Sequence, residues 1–135
     1  MKKNLITAIL VSTSVLFAVS CSKSDNTTPP PGGTSPQGNW VGNRTGLGGP
    51  SFYFKLSLQA NGVLVVSANN AVTPDIANGT WSLVGDSVRA TYTCIETSVT
   101  YSLAGKYSTT SNIMDGTIGL GTNTTGEGVF SVTKQ

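Results

Sequence analysis

The 135-residue chain contains no histidine. That removes the commonest general base and the commonest transition-metal ligand. Charge is scarce as well, with Asp, Glu, Lys and Arg together supplying only 10% of the residues. No basic residues cluster into the patch or stripe that a nucleic-acid partner would require. Only two cysteines are present, Cys21 and Cys94, so the disulfide framework that staples many small exported domains is not available. After residue 21 the chain also lacks any sustained helical periodicity. Threonine, serine, glycine, valine and tyrosine dominate instead.

The amino-terminal segment differs in kind. Met1-Lys2-Lys3-Asn4 is short and positive, and an apolar run follows from Leu5 to Val19, interrupted by Thr7 and by Ser12 to Ser14. A basic head, an apolar body and small residues before a cut make a secretory signal. A spanning helix needs about 20 mostly apolar residues, and this run is shorter. Ala18-Val19-Ser20-Cys21 resembles the lipobox of bacterial lipoproteins, although leucine is usual where Ala18 stands. The resemblance implies that residues 1–20 are removed, that Cys21 receives acyl chains, and that these chains are the contact with the membrane. Two or more chains are needed because one alone holds only marginally, at about 0.8 kcal/mol per buried CH₂. Ser22 stands where aspartate would favour inner-membrane retention, so the resemblance places the protein in the cell envelope, at the outer membrane. The competing reading is an ordinary signal peptide with an incidental cysteine.

Residues 21–38 carry the cysteine and then SKSDNTTPPPGGTSPQG. Such a stretch buries too little apolar surface to offset its own ordering and reads as a tether, stiffened at Pro29-Pro30-Pro31. Loss of Lys2 and Lys3 leaves six bases (Lys23, Arg44, Lys55, Arg89, Lys106, Lys134) against six acids (Asp25, Asp75, Asp86, Glu96, Asp115, Glu127). The mature chain is therefore near neutral, with its charges scattered.

Residues 39–135 read as one all-β domain. Phe52, Phe54, Leu56 and Leu58 alternate with Tyr53, Lys55, Ser57 and Gln59, the two-residue period of a half-buried strand. Asn61-Gly62 then predicts a type I′ hairpin turn into Val63-Leu64-Val65-Val66. Trp81 and Leu83 precede a tight turn at Gly85-Asp86, after which Val88, Ala90, Tyr92 and Cys94 share a face. Val99, Tyr101 and Leu103 are expected to face inward, with Thr100 and Ser102 outward. Ser108 to Asn112 form a loop, and Ile118, Leu120, Phe130 and Val132 belong to the last two strands. With the stretch around Trp40 this makes about eight strands roughly 12 residues apart, the pattern of an antiparallel up-and-down barrel or a sandwich. Closure favours the barrel, because it removes exposed sheet edges. The glycines from Gly116 to Gly121 are expected to permit bulges and sharp bends.

Gly38-Asn39-Trp40 resembles the Gly-x-Trp signature that opens lipocalins and related calycin barrels. The whole layout of signal, Pro/Gly tether and barrel is similar to small lipocalin-like lipoproteins of Bacteroidetes. The resemblance implies an eight-stranded barrel whose tryptophan plugs the closed end. Two lipocalin features are missing. There is no Thr-Asp-Tyr signature, and in place of the late arginine that stacks on the tryptophan only Lys134 is near. Asp86-Ser87-Val88 matches the short motif at which exported proteins of that group are O-glycosylated, here on Ser87, but the favoured reading is an ordinary hairpin turn. The Asn-x-Ser/Thr triplets at Asn43, Asn78 and Asn123 read as incidental in a bacterial chain.

No catalytic constellation stands out. The acids sit at turns, where turn chemistry explains them. Cys94 has no histidine to activate it and reads as a small buried hydrophobe. No serine lies in a Gly-x-Ser-x-Gly elbow. The protein is therefore expected not to be an enzyme and to hold no metal or cofactor. Trp40, Trp81, Tyr92 and Tyr101 are the candidate ligand-binding residues, for a small apolar molecule or a sugar. The alternative is a structural or interaction module, meeting a protein or glycan through its surface, in which those rings fill the core. An interior void lined by Trp40, Trp81 and Tyr101 would favour binding, and interlocked rings would favour the alternative.

Overall fold

The computed structural model describes residues 35–135. The segment read above as an export signal, Cys21 and most of the stretch read as a tether lie outside them. Eight strands form a closed antiparallel barrel in which each strand pairs with its sequence neighbours and the last returns to the first. They are β1 (Gly38–Gly46), β2 (Ser51–Leu58), β3 (Val63–Asn69), β4 (Asp75–Val84), β5 (Ser87–Cys94), β6 (Thr100–Ser108), β7 (Ile113–Leu120) and β8 (Gly128–Lys134). Closure is made by β1 against β8, from Trp40 opposite Lys134 to Gly46 opposite Gly128. The up-and-down barrel expected from alternation is present, and no strand is left with an unpaired edge.

Two-residue periodicity sorts the side chains. Trp40, Phe54, Leu56, Leu58, Leu64, Val66, Val88, Leu103, Met114, Phe130 and Val132 are all buried in one continuous core. Outward positions such as Lys55, Ser57, Arg89, Thr91 and Thr93 are polar. A barrel that crosses a membrane shows lipid an apolar band and keeps its polar residues inside, the reverse of this arrangement. Phe54, Leu56 and Leu58 are at most 2% exposed, whereas Phe52, on the same face, is 40% exposed because it lies at the barrel rim.

Three local expectations are corrected. The Asn61-Gly62 hairpin is longer than a two-residue turn: Ala60–Gly62 form a 3-10 turn closed by Gln59 N–H donating to Val63 O at 2.8 Å. Both Asn61 and Gly62 do take positive φ, which is the property that marked them as turn residues. Ser102, expected to face solvent, is 4% exposed. The β7–β8 connection folds back over it, and Ser102 Oγ donates to Gly121 O at 2.7 Å and pairs with Thr91 Oγ1 at 2.9 Å.

The third correction concerns the glycines of β7, which introduce no bulge. The ladders to β6 and β8 keep one unbroken register from end to end. Those glycines provide clearance instead. A Cβ on Gly116 would stand 2.6 Å from the Phe130 ring, and one on Gly119 would stand 2.3 Å from Thr125 O in the loop above it.

The strand directions give the barrel two distinct ends. Residues 35–37, the β2–β3, β4–β5 and β6–β7 turns and the carboxyl terminus lie at one end. The β1–β2, β3–β4, β5–β6 and β7–β8 loops lie at the other.

Candidate functional site

At the end that holds the termini, Trp40 closes the barrel. Its ring is 1% exposed, and its Nε1 donates to Pro36 O at 2.7 Å. Tyr107 meets it edge-on, with ring centres 6.4 Å apart and planes at 75°. Lys134 Nζ lies 5.6 Å from the Trp40 ring centre and donates to Ser35 O at 2.9 Å. The lysine thus lies over the plug and pins the incoming chain across it. Trp81 is half-buried, and its Nε1 donates to Gln59 O in the β2–β3 turn at 2.9 Å, again at the closed end. Trp40 borders only a gap of about 10 Å³, and Trp81 borders a depression of about 290 Å³ that is open to solvent. Both are packed and hydrogen-bonded as structural rings.

The other end is open, and a cavity of about 140 Å³ enters the barrel there. Of the four aromatic candidates, Tyr92 and Tyr101 line it and Trp40 and Trp81 do not. The two tyrosine rings are stacked at 5.8 Å with their planes 28° apart. Tyr92 is 5% exposed, and burial pushes its phenol well above the ordinary range, so it is neutral. Val66, Ala68, Ile76 and Ala77 supply aliphatic wall. Cys94, a free and half-buried thiol, also faces the cavity.

Arg44, Asn69 and Asp75 complete this wall, and the sequence reading passed over all three as site residues. Arg44 Nη2 donates to Asn69 Oδ1 at 2.6 Å, and Asn69 Nδ2 donates to Asp75 Oδ2. One carboxamide therefore holds a cation and an anion side by side without letting them pair. The Arg44 guanidinium also lies 5.8 Å from the Phe52 ring centre, a cation–π contact. Its Nε is buried and has no hydrogen-bond partner. A buried donor left unpaired costs about 1–3 kcal/mol, so this nitrogen is a liability unless something accepts from it.

A signal for Arg44 and Asp75 was present in the sequence. Arg44 is four residues beyond Trp40, an even spacing that puts both on the inward face of β1. Asp75 is two before Ala77 and six before Trp81, the same face of β4, although the adjacent Pro74 made it read as a turn residue. Nothing local marks Asn69. It takes φ of 69° at the end of β3, a conformation asparagine tolerates better than most residues.

The remaining singled-out positions are elsewhere. Ser87 begins β5, and its hydroxyl donates to Asp86 Oδ1 at 3.1 Å. Asp86 faces Lys106 at 3.4 Å across the surface, and the Ser87 hydroxyl, followed by Lys106, holds its carboxyl below the usual range. Two depressions of about 290 and 440 Å³ lie open to solvent, the first along β4–β6 beside Thr122 and Thr124, the second beside Asn43, Thr45 and Val129. Both are larger than the mouth cavity, but they are shallow, and neither gathers opposite charges with aromatic rings. The mouth cavity is the better candidate on chemistry rather than on size. Among the described residues no three potential metal ligands come together. Comparison of the chain with protein-family models, with curated proteins and with solved structures finds no match.

Proposed function

We propose that this chain is a lipid-anchored envelope protein whose barrel binds a small molecule in the cavity at its open end, without catalysing a reaction. The observation that carries the binding half is a cavity wall that brings together Arg44, Asn69, Asp75 and two tyrosines. Polar groups and aromatic rings converging on one void suit a small ligand. The lipobox-like Ala18-Val19-Ser20-Cys21 supports the anchoring half. The chain enters the barrel beside Trp40, at the closed end. The 14 chain steps from Cys21 to Ser35 reach at most about 50 Å when fully extended, so a lipid on Cys21 would hold the domain within that distance of the membrane.

Native mass spectrometry of the full chain purified from its own host tests the binding reading. A co-purifying molecule of low mass that is lost on Arg44→Gln is the expected result. An apo mass under gentle desolvation, with no bound species in either protein, overturns it. The anchor has a separate test: Cys21→Ser should abolish lipid labelling and release the protein from membranes.

The alternative, a structural or interaction module, draws support from the packed interior, where Trp40, Phe54, Leu56, Leu58 and Phe130 belong to one buried core. Under that reading the mouth loops, where Leu47, Val72 and Ile95 are exposed, would contact a protein or glycan of the envelope.

A further inference from the structure

Resting on the cavity reading above, we propose that the ligand is a small zwitterion, an amino-carboxylate of about six to eight non-hydrogen atoms, with its carboxylate on Arg44 and its ammonium toward Asp75. The size follows from the void. A cavity of roughly 150 Å³ takes a molecule such as benzene, and this one is about 140 Å³.

The charge pattern follows from the lining, which carries one guanidinium and two carboxylates, Asp75 on the wall and Glu96 on the exposed β5–β6 loop at the rim. A simple anion would pair with the Arg44 guanidinium but would add a like charge beside Asp75. A simple cation would suit the acids but would face the guanidinium. A neutral molecule would use neither pole.

Asn69 makes the difference, because it spans Arg44 and Asp75 with its own amide and keeps them from neutralising each other directly. Two opposite poles are thereby presented one carboxamide apart, an arrangement that an α-amino acid matches with its own two charged groups. A short aliphatic side chain then lies against Val66, Ala68 and Ala77, with the Tyr92–Tyr101 pair as the facing wall. Opposite poles held apart discriminate, because a ligand lacking one pole gives up one of the two charge contacts and meets the remaining pole as a like charge.

Three matched probes test this on the full chain by calorimetric titration: L-valine, isovalerate (valine without its ammonium) and isobutylamine (valine without its carboxylate). Valine is expected to bind at least tenfold more tightly than either. Arg44→Gln should weaken valine and isovalerate by tenfold or more and leave isobutylamine binding as tightly or more tightly. Asp75→Asn should weaken valine and isobutylamine and leave isovalerate binding as tightly or more tightly.

If isovalerate or isobutylamine matches valine on the wild-type protein, the zwitterion is overturned whatever the variants do. If valine does not bind but a molecule that is not an amino-carboxylate co-purifies and is lost on Arg44→Gln, the zwitterion again falls while the cavity reading stands. If no probe binds and the native mass is apo, both fall. The wild-type series decides the matter even where a variant folds poorly.

Discussion

The two ends of the barrel are built from the same strand and do opposite things. Trp40 and Arg44 are four residues apart on the inward face of β1. At one end Trp40 is buried, has its one polar hydrogen bonded to Pro36 O, and is covered by Tyr107 and Lys134. At the other, Arg44 lines a void with its Nε buried and unpartnered. Every polar atom of the plug that is buried has a partner, which is how a structural region behaves. The mouth leaves one such atom orphaned and separates two charges by an amide beside a void. Under the proposed function, stability and recognition are divided along the barrel axis, and perturbing each end should give a different signature.

The largest effect should come from the plug. Trp40→Ala removes a fully buried ring and its hydrogen bond, and a loss of about 3–5 kcal/mol is expected. That lowers Tm by on the order of 15 °C or more for a domain this size, measurable by thermal melts followed by circular dichroism. An unchanged Tm would break the assignment of Trp40 as the element that seals the barrel.

Alkaline titration reaches the mouth. Burial raises the Tyr92 phenol in the folded protein, whereas in the unfolded chain it titrates near 10. The stability this provides is complete below pH 10 and is lost as pH rises above it, by roughly 1.4 kcal/mol per pH unit. Urea unfolding between pH 9 and 11.5 should show that slope in the wild type and a shallower one in Tyr92→Phe. Equal slopes would mean that Tyr92 is not desolvated as described.

Arg44→Met sharpens the contrast further. It discards an orphaned donor, a gain of about 1 kcal/mol or more, against the hydrogen bond to Asn69 and the Phe52 contact that are lost. Tm should stay level or rise while ligand binding disappears, the signature of a residue kept at a cost to stability. A loss above about 2 kcal/mol would instead make Arg44 part of the scaffold.

The smallest effect belongs to neither end. Asp86 and Lys106 are well exposed, so their pair is screened by water. The depressed Asp86 carboxyl favours the folded state above the ordinary carboxylate range, and that contribution fades as pH falls through its lowered value. Asp86→Asn should therefore change Tm near neutral pH only marginally and slightly flatten the acid side of the stability profile.

Much of the barrel was legible because strand alternation is local. Phe54, Leu56 and Leu58, and then Val88, Ala90 and Tyr92, announce their buried face without reference to any partner. Gly85-Asp86 announces its turn in the same way, and β4 ends at Val84 and β5 begins at Ser87 as expected. Burial of Ser102 was not legible, because it depends on where the distant Gly121 loop comes to rest. Nor was the role of Gly116, which depends on the Phe130 ring from another strand. Of the four aromatic candidates, parity alone put all of them inside, but it carries no information about height along the barrel. Height separated Tyr92 and Tyr101 in the cavity from Trp40 and Trp81 at the closed end.

The amino-acid order by itself determined the all-β class, the number of strands and which side chains turn inward, because a period of two is a property of each strand alone. Only the closed tertiary structure decided which inward residues meet. Barrel closure set the register between strands distant in sequence, and that register brought Arg44 of β1 to Asn69 of β3 and Asp75 of β4, around a void no single strand encodes.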